Sequence, residues 1–200
     1  MWADESEEAY LIEEVVTNSF AKSLLFQARV NIELFKHSCT YLHEAFEKLN
    51  YHNFSAAFGG CHMSEGVFGT DIHLSYKITY TQRVLAFLLS AVTSGHRLIK
   101  CLRGAKNIDR GNDWKSVGKE IGLFENEYRR VRNALEHFPD AVMKGEYSSN
   151  SEIGFTPEAI FNAKDKNGEF TFDFSKDELN RVENLYDKVF SILVQRKENA

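Results

Sequence analysis

The sequence is short of proline, with only two in 200 residues. Proline removes a backbone donor and breaks helix interiors, so its scarcity leaves room for long uninterrupted helices. Cysteine is equally sparse. Cys39, Cys61 and Cys101 are odd in number, widely spaced and contain no CxxC pair. That pattern excludes a disulfide framework and suits reduced thiols in a cytosolic protein. A long hydrophobic run is also missing, since the longest, "VLAFLLSAV" (84–92), falls well short of the roughly 20 residues that span a bilayer. The N-terminus, "MWADESEEAY", is acidic where a secretory signal would be basic, and no apolar stretch follows it. A soluble, cytoplasmic protein with no membrane partner is expected.

What is present points to one globular domain over residues 1–200. Hydrophobic residues make up 43% and charged residues 26%, a balance that permits an ordinary core and argues against disorder. The net charge of −5 argues against a generic nucleic-acid coat, yet it is unevenly spread. Ten Lys/Arg and five Asp/Glu lie between His96 and Arg132, so that segment carries +5 and the remainder −10. A local basic face of this kind can hold an anion on an otherwise acidic protein.

Four segments carry apolar residues at the 3–4 spacing of a helix stripe. The first runs through Ala28, Ile32, Phe35, Cys39, Leu42, Phe46 and Leu49, with an amphipathic lead-in from Leu11 to Leu25 that can join it without a break. The second uses Leu74, Ile78, Thr81, Leu85, Leu88, Val92, Ile99 and Leu102. The third uses Val117, Ile121, Phe124, Tyr128, Val131 and Leu135, and the fourth Leu179, Val182, Tyr186, Val189 and Leu193. Ser175 and Glu178 have capping-box spacing at the start of the last. Each stripe leaves one helix side apolar, so the four must pack together; an all-α bundle of four to five helices is predicted.

Two stretches interrupt the pattern. Residues 53–70, with four glycines and no sustained period, read as a long connection, and no Gly-Lys-Ser/Thr makes it a phosphate loop. Residues 155–174 read as a small β-hairpin before the last helix. Asn167-Gly168 supplies a type I′ turn, and Phe170, Phe172 and Phe174 alternate with polar residues. A turn centred there pairs Lys166 with Glu169, Ala163 with Phe172, and Phe161 with Phe174.

The chemistry-bearing residues gather at the end of the third stripe, in Arg132-Asn133-Ala134-Leu135-Glu136-His137. Five residues on a regular helix turn through about 500°, leaving the Arg132 and His137 side chains some 140° apart. Pro139 disfavours helical geometry at Phe138, so the helix is expected to stop here and let the His137 ring swing back toward Arg132. Simpler readings exist for each residue. Arg132 and Glu136 have the spacing of an ordinary helix salt bridge, and a histidine near a helix C-terminus can cap carbonyls.

Arg-x-x-x-x-His at a helix end, with a polar residue directly after the arginine, resembles the signature of the HEPN superfamily. The resemblance covers the helix arrangement and this hexapeptide; the hairpin and the glycine-rich stretch fall outside it. It implies a HEPN-like bundle, metal-independent RNase activity without a cofactor, a role in toxin–antitoxin or anti-phage defence, and homodimers in which both motifs line one cleft. Arg132, His137 and Asn133 would be the catalytic residues, with Arg129 a phosphate contact and an antitoxin or regulatory protein a possible partner. Some relatives of this kind are not catalytic and bind a protein or nucleotide partner instead.

The residue types fit RNA cleavage. RNA brings its own nucleophile, the 2′-OH, so the site must move protons and stabilise charge. Histidine titrates near neutrality, and the arginine fork can hold two phosphate oxygens. Asn133 can orient a ring or donate to phosphate. A twofold pair of His137 residues would provide one base and one acid. A zinc site from His37, Cys39, His43, Cys61 and His62 is not expected, because Cys39 sits in the apolar stripe and His37 and His43 do not share a helical face.

Overall fold

A computed structural model describes residues 12–13, 16, 18–51, 70–108, 114–143, 154–155, 160–165 and 168–195. It is an all-α bundle of four helices with a small antiparallel sheet before the last one: α1 (Ser19–Tyr51), α2 (Thr70–Ile108), α3 (Lys115–Met143), β1 (Gly154–Phe155), β2 (Ile160–Asp165), β3 (Gly168–Asp173) and α4 (Lys176–Gln195). The connection expected over 53–70 lies outside the described residues except at Thr70, where α2 begins.

Where their side chains are described, the helical stripes line the core; Leu135 and Leu179 are half-buried against it, and the side chains of Phe46, Leu49, Leu74, Ile78 and Thr81 lie outside the described residues. Ala28, Ile32, Phe35, Cys39 and Leu42 of α1 are buried, as are Leu88, Val92, Ile99 and Leu102 of α2. On α3 the buried set is Val117, Ile121, Phe124, Tyr128 and Val131, and on α4 it is Val182, Leu185, Tyr186, Val189 and Leu193. On α2 the stripe passes through Val84, while Leu85 is half-buried. The Arg83–Ile108 part of α2 is long and apolar enough to cross a membrane by composition, yet 56% of its most apolar window is buried within the bundle. Core packing accounts for that apolarity.

The helix starts are set by polar side chains. Asn18 Oδ1 accepts the N–H groups of Phe20 (2.9 Å) and Ala21 (3.1 Å), so α1 has its own N-terminus and the lead-in does not run straight into it. Ser175 Oγ accepts the Asp177 N–H (3.2 Å) at the start of α4. The reciprocal half of the expected capping box is absent: Asp173 Oδ1, not Glu178, accepts the Ser175 N–H (2.7 Å). Glu178 is buried instead, drawn inward by Tyr128 and Arg181.

The hairpin is present, with two corrections. A short strand, β1, pairs with β2, making the sheet three-stranded in the order β1-β2-β3. The register differs too: Asp165 pairs with Gly168, Ala163 with Phe170, and Phe161 with Phe172. Gly168, with φ 109°, stands in the first ladder pair rather than at the second central turn position. A left-handed glycine is accommodated there, as it is directly after a hairpin turn. The shift in partners is even, so the aromatic face is kept. Phe161, Phe172 and Phe174 are buried, and the Phe172 ring meets Tyr128 of α3 edge-on at 4.8 Å.

Candidate functional site

Helices α2 and α3 run antiparallel and approach closely. A Cβ at Gly95 would lie 2.0 Å from Tyr128 Cε1, so only glycine lets α2 come this near the ring. Further along, the Arg103 guanidinium donates to both carboxylate oxygens of Glu125 at 2.6 Å. These contacts fix the register. Seven residues are two helical turns less about 20°. Two turns back from Arg103 is His96, and two turns on from Glu125 is Arg132. This register brings His96 level with Arg132 across the seam, near enough for the Arg132 charge to act on its ring, with Lys100 between His96 and Arg103 along α2.

Arg132 is half-exposed, and its Nε donates to Glu136 Oε1 at 2.7 Å, one turn along the same helix. Asn133 is exposed. Arg129 is exposed and donates to Asn126 Oδ1 at 2.7 Å. Arg130, adjacent to it, stacks its guanidinium over the Phe170 ring, 4.2 Å from the centroid, and tethers the sheet to α3. Among the other basic residues near the seam, Arg97 and Lys100 are exposed and Arg103 is held by Glu125.

The end of α3 departs from expectation. The helix does not stop at His137 but continues through Pro139 to Met143. Pro139 has no N–H for the Leu135 carbonyl, and the helix tolerates that loss near its end. The His137 side chain lies outside the described residues. Its backbone stays on the helix that carries Arg132, so the two Cα positions stand about 140° apart around the helix axis.

His96 was not singled out in the sequence, where it only bounds the basic segment. It is 7% exposed, and no hydrogen bond to its ring is found among the described residues. Burial lowers its pKa below the usual histidine value, and the positive charges of Lys100 and Arg132 lower it further against the opposing pull of Glu125 and Glu136. Both effects favour the neutral ring. No motif marks it; only the α2–α3 register reveals its place.

A second buried polar group links α3 to α4. Tyr128 Oη donates to Glu178 Oε1 at 3.0 Å, and Arg181 donates to Glu178 and, at 3.2 Å, to Glu127. Burial pushes the Glu178 carboxyl up to about 7, against the opposing effects of Arg181 and Tyr128. It also raises the Tyr128 phenol well above its ordinary value. Cys39 is pushed up to about 12, first by burial and then by Glu178 and Asp173, which makes it inert. Glu178 and Tyr128 are buried while Arg181 and Glu127 reach the surface, so the group ties α3 to α4 from the core outward.

Among the described residues no group of three or more His, Cys, Asp and Glu could hold a metal ion. Cys39 is in the core, and His43 Nε2–H donates to the Phe174 carbonyl at 3.1 Å, which fastens α1 to the end of β3. Cys61 and His62 lie outside the described residues. No protein-family model, curated protein or solved structure matches the chain.

Proposed function

We propose that the protein is a metal-independent endoribonuclease of HEPN type, cleaving single-stranded RNA at a site built from Arg132, Asn133 and His137 of two protomers. Support comes from the hexapeptide itself, with a half-exposed arginine on a helix of a four-helix bundle. Along a continuous α3 the Cα positions of Arg132 and His137 stand about 140° apart around the axis. The productive pair is therefore drawn from two chains, Arg132 of one protomer working with His137 of its partner in a shared cleft. Arg132 holds the scissile phosphate and meets the charge that develops on it. His137 carries a proton, Asn133 orients it or donates to the phosphate, and Arg129 contacts a neighbouring phosphate. The biological role that follows is a cytoplasmic toxin or anti-phage effector, restrained by an antitoxin or regulatory protein.

The Arg132–Glu136 bridge favours a second function, a non-catalytic module that docks a protein or nucleotide and uses Arg132 only to steady its helix. That bridge is exposed on both sides and worth only about 0.3–0.5 kcal/mol, so a phosphate can displace Glu136 at small expense. The two functions separate in one assay. Purified protein should cleave single-stranded RNA in EDTA, leave DNA intact and produce 2′,3′-cyclic phosphate ends. A docking module leaves RNA whole, and cleavage that stops on chelation and returns with Mg²⁺ belongs to a different site.

A further inference from the structure

We infer that His96 is the general base of this site, taking the 2′-OH proton of RNA held by Arg132 across the α2–α3 seam. The inference rests on the ribonuclease function proposed above and fills the place that a second His137 would otherwise take. Three observations carry it. The seam register puts His96 opposite Arg132, two turns from the Arg103–Glu125 pair on both helices. Two cations stand at the surface beside it, Lys100 exposed and Arg132 half-exposed in its exchangeable pair with Glu136. The ring is buried without a hydrogen-bond partner among the described residues. A buried polar group without a partner is unfavourable, an imbalance that a substrate hydroxyl relieves.

The groups around His96 suit it to this role. Lys100 on its own helix and Arg132 on the facing one oppose protonation more than Glu125 and Glu136 favour it, and burial adds to them. A neutral imidazole can accept a proton at once, whereas a protonated one must first lose its own. In the reaction the 2′-oxygen gives its proton to the free ring nitrogen of His96 and forms a bond to phosphorus. The P–O5′ bond breaks, and His137 of the partner subunit donates its proton to the departing 5′-oxygen. The products are a 2′,3′-cyclic phosphate and a 5′-hydroxyl, with charge and atoms balanced. Arg132 then has a proton carrier on its own protomer.

The test compares wild type, His96→Gln, His96→Asn and His137→Ala in RNA cleavage across pH 5–9. The two amides keep most of the side-chain volume, and each keeps a polar atom near one ring nitrogen. Both should lower cleavage by about 100-fold or more while melting near wild type, and both should abolish the acid limb of the kcat/KM profile. If His96→Gln and His96→Asn cleave within tenfold of wild type with that limb intact, while His137→Ala is inactive, His96 is not the base and the ribonuclease function stands. Failure of the wild type to cleave RNA overturns both together. Should the amide variants misfold, ring ¹⁵N NMR of the wild type decides: His96 should titrate below the usual histidine value and shift on binding an RNA with a 2′-deoxy block at the scissile position. An unshifted ring at saturation overturns the assignment.

Discussion

Gly95→Ala should be among the most damaging single methyl groups that can be added to this protein. The new Cβ would meet Tyr128 at 2.0 Å from Cε1, 2.7 Å from Cδ1 and 2.8 Å from Cζ, where carbon atoms ordinarily sit about 3.5–4 Å apart. The ring has nowhere to go. Phe35 lies against it at 6.0 Å between centroids and Phe172 at 4.8 Å, both edge-on, and its hydroxyl is bonded to Glu178. Either the ring gives up that hydrogen bond or α2 withdraws from α3. Overpacking of this sort is unfavourable by about 1–3 kcal/mol, and loss of a buried bond to a carboxylate adds about 1.5–3 kcal/mol. The better helix propensity of alanine returns roughly 1 kcal/mol, leaving a net loss of about 3 kcal/mol. For a chain of this size that is a melting-temperature drop of about 6–12 °C. Gly122 on α3 provides the control, because nothing lies within 4 Å of the Cβ it would gain. Gly122→Ala should raise the midpoint by about 2–3 °C through helix propensity alone. Thermal and urea unfolding followed by circular dichroism measure both. A Gly95→Ala protein melting at or above wild type would refute the close α2–α3 approach, and with it the register that sets His96 against Arg132.

Arg132→Ala and His137→Ala should each reduce RNA cleavage by about 100-fold or more, and Arg132→Lys should recover little because an ammonium lacks the guanidinium fork. Glu136→Ala should keep full cleavage and shift the melting temperature by less than about 2 °C, since it removes only an exposed ion pair; loss of cleavage in Glu136→Ala would show that the bridge itself matters. Glu178 should impose a pH dependence on stability. Its folded pKa, about 7, exceeds the ordinary 4.5, so the folded state binds the proton more tightly than the unfolded chain. The stability it contributes is complete below the unfolded value and is lost as pH rises through about 7, up to about 3 kcal/mol in all. Urea midpoints measured from pH 5 to 8 should show that fall, and Glu178→Gln should flatten it; an unchanged slope in the variant would assign the effect elsewhere.

Helix identity and core membership were legible in the sequence because the 3–4 spacing of Ala28 to Leu42, and of Val117 to Val131, directly encodes which side of a helix is buried. The limits of that signal are equally physical. Leu85 and Val84 are both apolar neighbours, and only packing decides that Val84 faces inward. The Asn167-Gly168 pair announces a turn but does not say which position the positive-φ glycine takes, so the hairpin was found with partners displaced. β1 is two residues long, too short to carry alternation. Pro139 was read as a stop because proline usually ends helices, yet here the chain continues past it. At the candidate site, Arg132 and its Glu136 partner follow from i,i+4 spacing within one helix. His96 does not, because its relation to Arg132 exists only once two helices are set in register by Gly95 and by the Arg103–Glu125 pair. Glu178 was hidden in another way: its capping spacing is an adequate local explanation, and its burial against Tyr128 is a long-range fact.

The composite site is tested most directly by mixing two inactive variants. In a twofold dimer with Arg132 and His96 from one chain and His137 from the other, an Arg132→Ala protomer paired with a His137→Ala protomer keeps one complete site and loses the other. After subunit exchange at equal concentration, half of the dimers are mixed, so cleavage of single-stranded RNA in EDTA should return to about a quarter of the wild-type rate. A mixture that stays as inactive as its components after confirmed exchange, beside a wild type that cleaves, would contradict a site shared in this way. A wild type that leaves RNA intact would contradict the proposed function itself.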